Sequence, residues 1–419
     1  MSRVLIVAET TGYQIRSFTE AADRLGVELV FATDRCHVLD DPWRDLAIPI
    51  RFRDESGSIQ AIRQALVDRP TRGVVAVGDR PALIGALAAE ALWLPGSSPD
   101  AVRTAGNKLM MRLRLREAEL PCPWFTSVPL GESPQSVSAR VAFPCVVKPL
   151  SMSASRGVMR VDTPGELETA MTRALALLRL PDVQALRDPS NLMILVEEYL
   201  PGHEVAVEGV LTDGELQTLA VFDKPDPLEG PFFEETIYVT PSTGADGGER
   251  CCRAVARAAD AIGLTSGPVH AECRVTGDEV FVLEVAPRPI GGLCSRVLRF
   301  TARGGDMVSL EELLLRHAMM EPVTDYQRED SAAGVMMIPI PRDGLYKGVT
   351  GMEQACEVEH IEEIRITAKL DQRIQPLPEG ASYLGFIFAR AQQPTNVVSA
   401  LRAAHERMTF QIAPPLPLL

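Results

Sequence analysis

A lysine and a run of small and hydroxyl-bearing residues lie close together in the first half of the chain. Lys148 ends the apolar segment 145–148, and the loop that follows carries Ser153, Ser155, Arg156 and Gly157. Small residues let backbone N–H groups approach a phosphate, serine hydroxyls add donors, and the lysine supplies positive charge. The pattern predicts a flap that covers a triphosphate, and the alternative is an ordinary Ser/Gly hairpin.

Two glutamates in adjoining predicted strands form a second candidate group. Glu272 lies beside His270 in the segment 269–275, and Glu284 is the only charged residue of the segment 280–286. Two carboxylates buried together need a cation, and the Mg²⁺ that bridges ATP phosphates is a natural one. The carboxylates stand opposite each other only if the hairpin has an odd-numbered loop or a bulge. The alternative places Glu272 in solvent and pairs Glu284 with an arginine.

A third group follows the apolar segment 195–196, where Glu197, Glu198 and Tyr199 lead into a turn before Glu204. A strand edge can bind adenine through its backbone while a carboxylate accepts hydrogen bonds from ribose hydroxyls. This group is a candidate nucleoside site, and the alternative is a set of solvated glutamates.

Arg288 lies between Pro287 and Pro289, just before Gly291 and Gly292. The prolines restrict the backbone and the glycines allow close approach of a ligand. A guanidinium held in this way suits a substrate carboxylate and the negative charge that develops during acyl transfer. The alternative is a structural arginine at a turn.

Lys108 and Arg112 are one helical turn apart on a helix predicted for residues 101–119, which ends before Pro121 and Pro123. Residues four apart share one face of a helix, so both cations are predicted to reach phosphate from the side opposite the flap. The alternative is a solvated basic face.

The elements around these groups predict a mixture of α/β and α+β units. Residues 1–105 alternate apolar strands with helical patterns, which is typical of a parallel Rossmann-like sheet, and Gly78 and Asp79 follow a strand at the edge where ligands bind. Neither GxGxxG nor GxxxxGK[ST] occurs, which disfavours dinucleotide-binding dehydrogenases and P-loop ATPases. Further units are predicted at 106–200, 201–325 and a β-rich 326–419.

The composition indicates a globular protein that binds small molecules. The chain has 419 residues, of which 46% are hydrophobic, and its net charge is -14. That charge disfavours nucleic acid and anionic membranes as partners. The eight cysteines form no CxxC pair, and no segment has the length of a signal peptide core or a membrane helix. A cytoplasmic location is therefore expected.

Taken in order, these motifs resemble the ATP-grasp superfamily, and most of all its L-amino-acid ligases. The resemblance implies an ATP-grasp fold with an N-terminal pre-ATP-grasp domain, a two-part ATP-grasp domain and a C-terminal subdomain. The positions implied to bind ATP are Lys108, Lys148, Ser153, Ser155, Gly157, Glu197, Glu198, Tyr199 and Glu204. Those implied for catalysis are Lys148, Ser155, Arg156 and Arg288, and those for substrate are Glu235, His270, Arg288, Gly291 and Gly292.

The same resemblance assigns Mg²⁺, in two sites and with Mn²⁺ as a substitute, to Glu272 and Glu284. Ala286 stands where many members have an asparagine ligand. The implied reaction joins a carboxylate to an amine through an acyl phosphate and releases ADP and phosphate. Expected partners are small carboxylates and amines, with a homodimer as an option. The alternatives are a carboxylase-type or purine-pathway enzyme that activates bicarbonate or a nucleotide intermediate, and a catalytically weak nucleotide-binding relative.

Overall fold

The computed structural model describes residues 2–10, 14–34, 47–244, 246–302 and 305–414. Its N-terminal unit is a parallel four-stranded sheet covered by helices, as the alternating pattern predicts. In spatial order the strands are Ile48–Pro49, Glu28–Thr33, Arg3–Ala8 and Gly73–Val77. The helices are Ile15–Leu25, Glu55–Leu66, Asp79–Ala91 and Pro99–Ala105. The central strand is buried on both faces, which explains its unbroken apolar sequence.

The single helix predicted for residues 101–119 is wrong. Two helices, Pro99–Ala105 and Lys108–Glu117, meet at Gly106 and Asn107. The Asn107 side chain accepts hydrogen bonds from the backbone N–H groups of residues 109 and 110, so it caps the second helix. The break makes Lys108 the first residue of a new helix, and its backbone N–H donates to the carbonyl of Leu150.

The small subdomain is an antiparallel sheet with one long covering helix. Its strands, in spatial order, are Phe125–Pro129, Met193–Glu198, Cys145–Pro149 and Met159–Val161. The helices are Pro134–Ser138, Pro164–Leu178 and Pro181–Ala185, with a 3-10 turn at Pro189–Leu192. The lysine strand and the strand after the flap are therefore neighbours, as the loop between them predicts.

An eight-stranded antiparallel sheet forms the centre of the large subdomain. Its strands, in spatial order, are Glu279–Ala286, Gly267–Thr276, His203–Thr212, Glu215–Asp223, Ile237–Thr240, Ala332–Ile338, Gly385–Ala391 and Ile361–Ile366. The helices are Glu249–Ile262, Leu310–Ala318, Met352–Cys356 and Pro394–Glu406, with a 3-10 turn at Cys294–Val297. The last three strands of the sheet come from beyond residue 325, so the sheet continues across that predicted domain boundary.

Two small antiparallel sheets complete the fold. One contains Met307–Ser309, Arg299–Thr301 and Gln327–Arg328, and the other contains Arg373–Ile374, Gly344–Thr350 and Thr409–Ala413. No helix in the described part of the chain combines the length and the apolar character needed to cross a membrane.

Candidate active site

The hairpin that carries the two predicted metal ligands has a β-bulge. Its loop contains two residues, so that Thr276 pairs with Glu279, and this register would leave Glu272 opposite Leu283. A register shift after the pair of Cys273 with Val282 instead places Glu272 opposite Glu284. Directly opposed residues in an antiparallel pair project to one face. The bulge therefore fulfils the condition under which both carboxylates face the same space.

The two carboxylates contact different cations. Glu284 Oε2 lies 3.7 Å from Lys108 Nζ, and Glu272 Oε1 lies 3.1 Å from Lys224 Nζ. Tyr238 also places its hydroxyl 3.4 Å from Glu272 Oε1. Lys108 was predicted to bind phosphate, whereas Lys224 was not predicted to belong to the site at all.

Lys224 lies among three carboxylates. Its ammonium is 3.2 Å from Glu204, 2.6 Å from Glu235 and 3.1 Å from Glu272. Oxygen atoms of the three glutamates lie within 4.8 Å of one another, a spacing that also suits a metal ion. Sequence reasoning missed Lys224 because it follows a strand in a proline-containing loop. Only its burial among acidic groups in the folded protein identifies it as a residue of the site.

This carboxylate cluster perturbs the acidity of its members. Burial and the nearby charge of Glu272 raise the pKa of Glu235 to about 8. Burial acts to raise the pKa of Glu272 as well, but the charges of Lys224 and His270 and the hydrogen bonds from Lys224 and Glu235 together hold that pKa below its usual value. The surrounding carboxylates keep Lys224 protonated, because they raise its pKa well above the ordinary lysine value despite burial.

A second buried ion cluster lies beneath Lys148. Glu197 Oε2 accepts a hydrogen bond from Arg112 Nε at 3.0 Å, and Glu197 Oε1 forms an ion pair with Lys148 Nζ. Arg112 also donates to the carbonyl of Val282 at 3.0 Å. The two cations outweigh the effect of burial and lower the pKa of Glu197 to about 2, whereas burial lowers the pKa of Lys148. Glu197 thus faces the lysine, and Arg112 is buried rather than available to phosphate or solvent.

The predicted flap lies across the site and contacts residues on both sides. Lys108 Nζ donates to the carbonyl of Met152 at 2.6 Å, and the Ser153 side chain lies close enough to Asp79 to lower the pKa of that carboxyl. At its far end, Arg156 Nε donates to the carbonyl of Glu379 at 2.9 Å. Ser155 has a φ of 53°, so its backbone adopts a left-handed conformation that is costly for a serine. The hydrogen bond to Glu379 directs Arg156 to the C-terminal part of the chain.

Arg288 joins the N-terminal unit to the site. Its Nε donates to Asp79 Oδ1 at 2.7 Å, and one terminal nitrogen donates to the carbonyl of Pro289 at 3.1 Å. The neighbouring Arg288 guanidinium lowers the pKa of Asp79, and the Asp79 charge raises the pKa of Arg288. Asp79 follows the strand Gly73–Val77, as the sheet-edge argument predicts. The backbone φ of Gly292 is 62°, and an added Cβ there would lie 3.1 Å from Phe386.

His270 connects the metal-ligand strand to a further buried carboxylate. Its Nδ1 lies 3.0 Å from Glu208 Oε2, and its Nε2 lies 4.0 Å from Glu272 Oε1. Glu208 also accepts a hydrogen bond from the backbone N–H of Ile290 at 3.1 Å, and burial raises its pKa. His270 is thus oriented by Glu208 toward the carboxylate cluster, a partner that sequence reasoning did not identify.

The predicted nucleoside residues occupy the hinge between the two subdomains. Glu198 accepts a hydrogen bond from the backbone N–H of Trp124 at 3.4 Å, and the Tyr199 ring lies 4.0 Å from the guanidinium of Arg160. Glu204 pairs with Arg274 as well as with Lys224. Glu204 was predicted to bind ribose, and the structure shows it as a member of the carboxylate cluster.

The arrangement has the donor set that magnesium and a triphosphate require. Glu272 and Glu284 offer hard carboxylate oxygens on one face, and Lys108 and Lys148 supply cations at the base of the flap. Ala286 pairs with His270 across the hairpin and offers no side-chain ligand. The residues present therefore fit a magnesium-bound nucleotide, for which Glu272 and Glu284 would be the protein ligands of the metal.

Three family models match successive parts of the chain. Residues 19–96 match the ATP-grasp N-terminal domain, residues 141–297 the ATP-grasp domain, and residues 336–413 the L-amino acid ligase C-terminal domain 2. The structure is similar to an L-amino acid ligase from Bacillus licheniformis, with a TM-score of 0.82, 25% identity and 99% of both chains covered. It shares its fold with an ATP-bound carboxyaminoimidazole ribonucleotide synthase from Aspergillus clavatus, at a TM-score of 0.68 and 17% identity over 96% and 97% of the chains.

Two curated relatives are similar over part of their length. An uncharacterized protein from Sinorhizobium fredii is 24% identical over 77% of this chain and 64% of its own length. The alanine–anticapsin ligase of Bacillus amyloliquefaciens is 26% identical over 49% of this chain and 46% of its own length. The chain thus spans less than two thirds of the relatives it matches. The chain thus contains an ATP-grasp domain, with an ATP-grasp N-terminal domain before it and an L-amino acid ligase C-terminal domain after it, and its fold is similar to that of an L-amino acid ligase.

Proposed function

We propose that this protein is an ATP-dependent carboxylate–amine ligase that joins an amino acid, or a related carboxylate, to an amine. The observation that carries the proposal is the bulged register that places Glu272 opposite Glu284. Without the bulge, one carboxylate would face away from the flap and a shared cation would have no site. The domain organisation of the L-amino acid ligases supports amino-acid substrates.

Lys108, Lys148 and the flap would hold the phosphates of ATP, and Glu272 and Glu284 would hold magnesium. When bound, magnesium would neutralise the negative charge of the phosphates. Lys108 lies 3.7 Å from Glu284, so the lysine that would hold a phosphate lies beside a carboxylate that would hold magnesium. Lys148 is held by Glu197, which keeps its position fixed at the end of its strand.

The reaction we propose has two steps. A carboxylate oxygen of the first substrate attacks the γ-phosphorus and ADP leaves, which yields an acyl phosphate. The amine nitrogen then attacks the acyl carbon, phosphate leaves and the nitrogen loses a proton, which forms the amide. Arg288, fixed by Asp79, would orient the carboxylate and stabilise the negative charge of the tetrahedral intermediate.

Glu235 is the proposed contact for a substrate amino group. It is partly buried beside Glu272, and burial together with that neighbouring charge raises its pKa to about 8, so this carboxyl is protonated near neutral pH. A substrate ammonium placed beside it would favour the ionised carboxylate. His270, oriented by Glu208, lies on the same side of the cluster. The proposed substrates are small carboxylates and amines.

The proposed location is the cytoplasm. The thiols of the seven described cysteines are free, which supports a reducing compartment.

The test is to measure ADP release with single amino acids, pairs of amino acids and bicarbonate. ADP release that depends on amino acids, together with amide formation, is expected. Release with bicarbonate alone would establish the carboxylase-type alternative. Nucleotide binding without any turnover would indicate a catalytically weak relative.

The Glu284→Gln variant tests the metal assignment. Removal of one carboxylate ligand should lower turnover by about a hundredfold or more, because the charge that develops on the phosphates loses its stabilisation. Glu279→Gln, at the exposed end of the same strand, is the matched control and should retain activity. Undiminished turnover in Glu284→Gln would disprove the assignment of this carboxylate to magnesium.

A further inference from the structure

The C-terminal part of the chain contacts the flap. The backbone N–H of Gly157 donates to the carbonyl of Pro378 at 2.8 Å, and Arg156 Nε donates to the carbonyl of Glu379 at 2.9 Å. Both contacts lie at the end of the flap opposite Lys108 and Asp79. The flap is therefore held from the N-terminal unit on one side and from the segment 376–380 on the other.

An ion pair reinforces this second attachment. Arg173, on the helix Pro164–Leu178, donates from Nε and a terminal nitrogen to the two carboxylate oxygens of Glu379, each at 2.8 Å. The two side chains are 37% and 32% exposed, so the pair is partly shielded from solvent. The same guanidinium lies 5.0 Å from the centre of the Phe232 ring. Arg173 thus links the small subdomain to two segments of the large one.

Tight turns fix the geometry on both sides of the contact. Gly380 donates its N–H to the carbonyl of Pro376, and a Cβ at Gly380 would lie 1.8 Å from the carbonyl oxygen of Gln375. At the flap, a Cβ on Gly157 would lie 2.7 Å from Pro149 and 2.8 Å from Leu177. Neither turn has room for a side chain, so both backbones meet in a defined register.

We propose that Glu379 is a positioning residue that holds the flap closed over the reacting groups. The proposal rests on the ligase function proposed above. A closed flap excludes water from the acyl phosphate until the amine attacks. With the contact weakened, water attacks the acyl carbon instead, and the carboxylate and phosphate are released. The net reaction is then hydrolysis of ATP to ADP and phosphate without an amide.

The experiment compares ADP release with amide formation in E379Q, R173Q and the charge-swapped double variant R173E/E379R. The wild-type protein should release one ADP for each amide formed. Because a partly exposed ion pair contributes about 1 kcal/mol, E379Q and R173Q should raise the KM for ATP by about fivefold. Both variants should also raise the ratio of ADP released to amide formed. In the double variant, the KM for ATP and this ratio should both return part of the way to the wild-type values.

The matched control is R373Q, which removes the exposed arginine that pairs with Asp343 in a small sheet of the C-terminal part. This variant should behave like the wild-type protein. A merely structural role for Glu379 would lower the thermal midpoint without a change in the ADP-to-amide ratio, and that result would overturn the proposal.

Tryptic cleavage between Arg156 and Gly157 provides a readout that does not depend on catalysis. In the full-length protein without nucleotide, E379Q and R173Q should be cleaved there about fivefold faster than R373Q, since an open flap exposes the bond. Equal cleavage rates in all three variants would overturn the proposal that Glu379 holds the flap closed. If no protein in the series releases ADP with any amino acid, the proposed ligase function is wrong. The cleavage rates then still decide whether the contact between Arg173 and Glu379 keeps the flap closed.

Discussion

Two buried glutamate sites in this protein have opposite electrostatic balance. Glu197 is a single carboxylate between Arg112 and Lys148, and its pKa is lowered to about 2. Glu235 shares the ammonium of Lys224 with other carboxylates, and its pKa is raised to about 8. Both side chains are largely withdrawn from water, so burial alone does not explain the difference. The local ratio of cations to carboxylates decides it.

The comparison distinguishes a site whose charge the protein itself balances from a site that can bind a further cation. The Glu197 site is neutralised by the protein itself, so it fixes Lys148 and has no need of a further cation. The carboxylate cluster of Glu204, Glu235 and Glu272 keeps the Glu235 carboxyl protonated near neutral pH, and that carboxyl can give up its proton when a substrate ammonium or a metal ion binds.

The largest expected effect comes from removing the internal partner of Glu197. Arg112→Met should lower the free energy of unfolding by about 3–5 kcal/mol, because it breaks a buried ion pair. Urea denaturation measures this change. Arg114→Met, on the exposed face of the same helix, is the matched control and should change stability by less than about 0.5 kcal/mol. A similar small change in Arg112→Met would show that the Glu197 site is not a structural ion cluster.

Removal of Lys224 should have a smaller effect that magnesium reverses in part. Lys224→Met should lower the free energy of unfolding by about 3 kcal/mol, since the remaining carboxylates repel one another. Magnesium bound at the vacated position should raise the thermal midpoint of this variant. Arg112→Met should show no such recovery, because Glu197 would have no second carboxylate to share a metal ion. Equal responses of the two variants to magnesium would remove the distinction between the two sites.

The smallest expected effect is a difference in pH dependence. The folded-state pKa of Glu235, about 8, lies above its ordinary value of 4.5, so the unfolded chain releases this proton first and the folded protein becomes less stable as pH rises between these values. Glu235→Gln should remove this loss of stability. The urea midpoint of the variant minus that of the wild-type protein should therefore increase from pH 5 to pH 8. Glu197, with a pKa of about 2, stabilises the fold above pH 4.5 and loses that contribution as pH falls toward 2. A constant difference from pH 5 to pH 8 would contradict the elevated pKa of Glu235.

Local sequence patterns predicted which segments carry the residues of the site better than they predicted which residues contact one another there. The lysine strand, the flap and the two-residue hairpin loop follow from apolar runs and turn residues, which act over a few neighbouring positions. The break at Asn107 was missed because a capping side chain can interrupt an otherwise continuous helical pattern. The bulge at Leu283 was recognised only as a condition, since its presence depends on pairing with the neighbouring strand.

The amino-acid sequence by itself determined which chemistry-bearing residues exist, the order of the units, and the family that this order resembles. Only the tertiary structure decided that Glu197 neutralises Lys148, that Lys224 lies among three carboxylates, and that Glu379 contacts the flap. The physical reason is distance along the chain: propensity and periodicity act within one element, whereas these ion pairs join residues brought together by the packing of separate elements. The sequence therefore shows which residues are charged, whereas the fold decides which of these charges neutralise one another in a buried site.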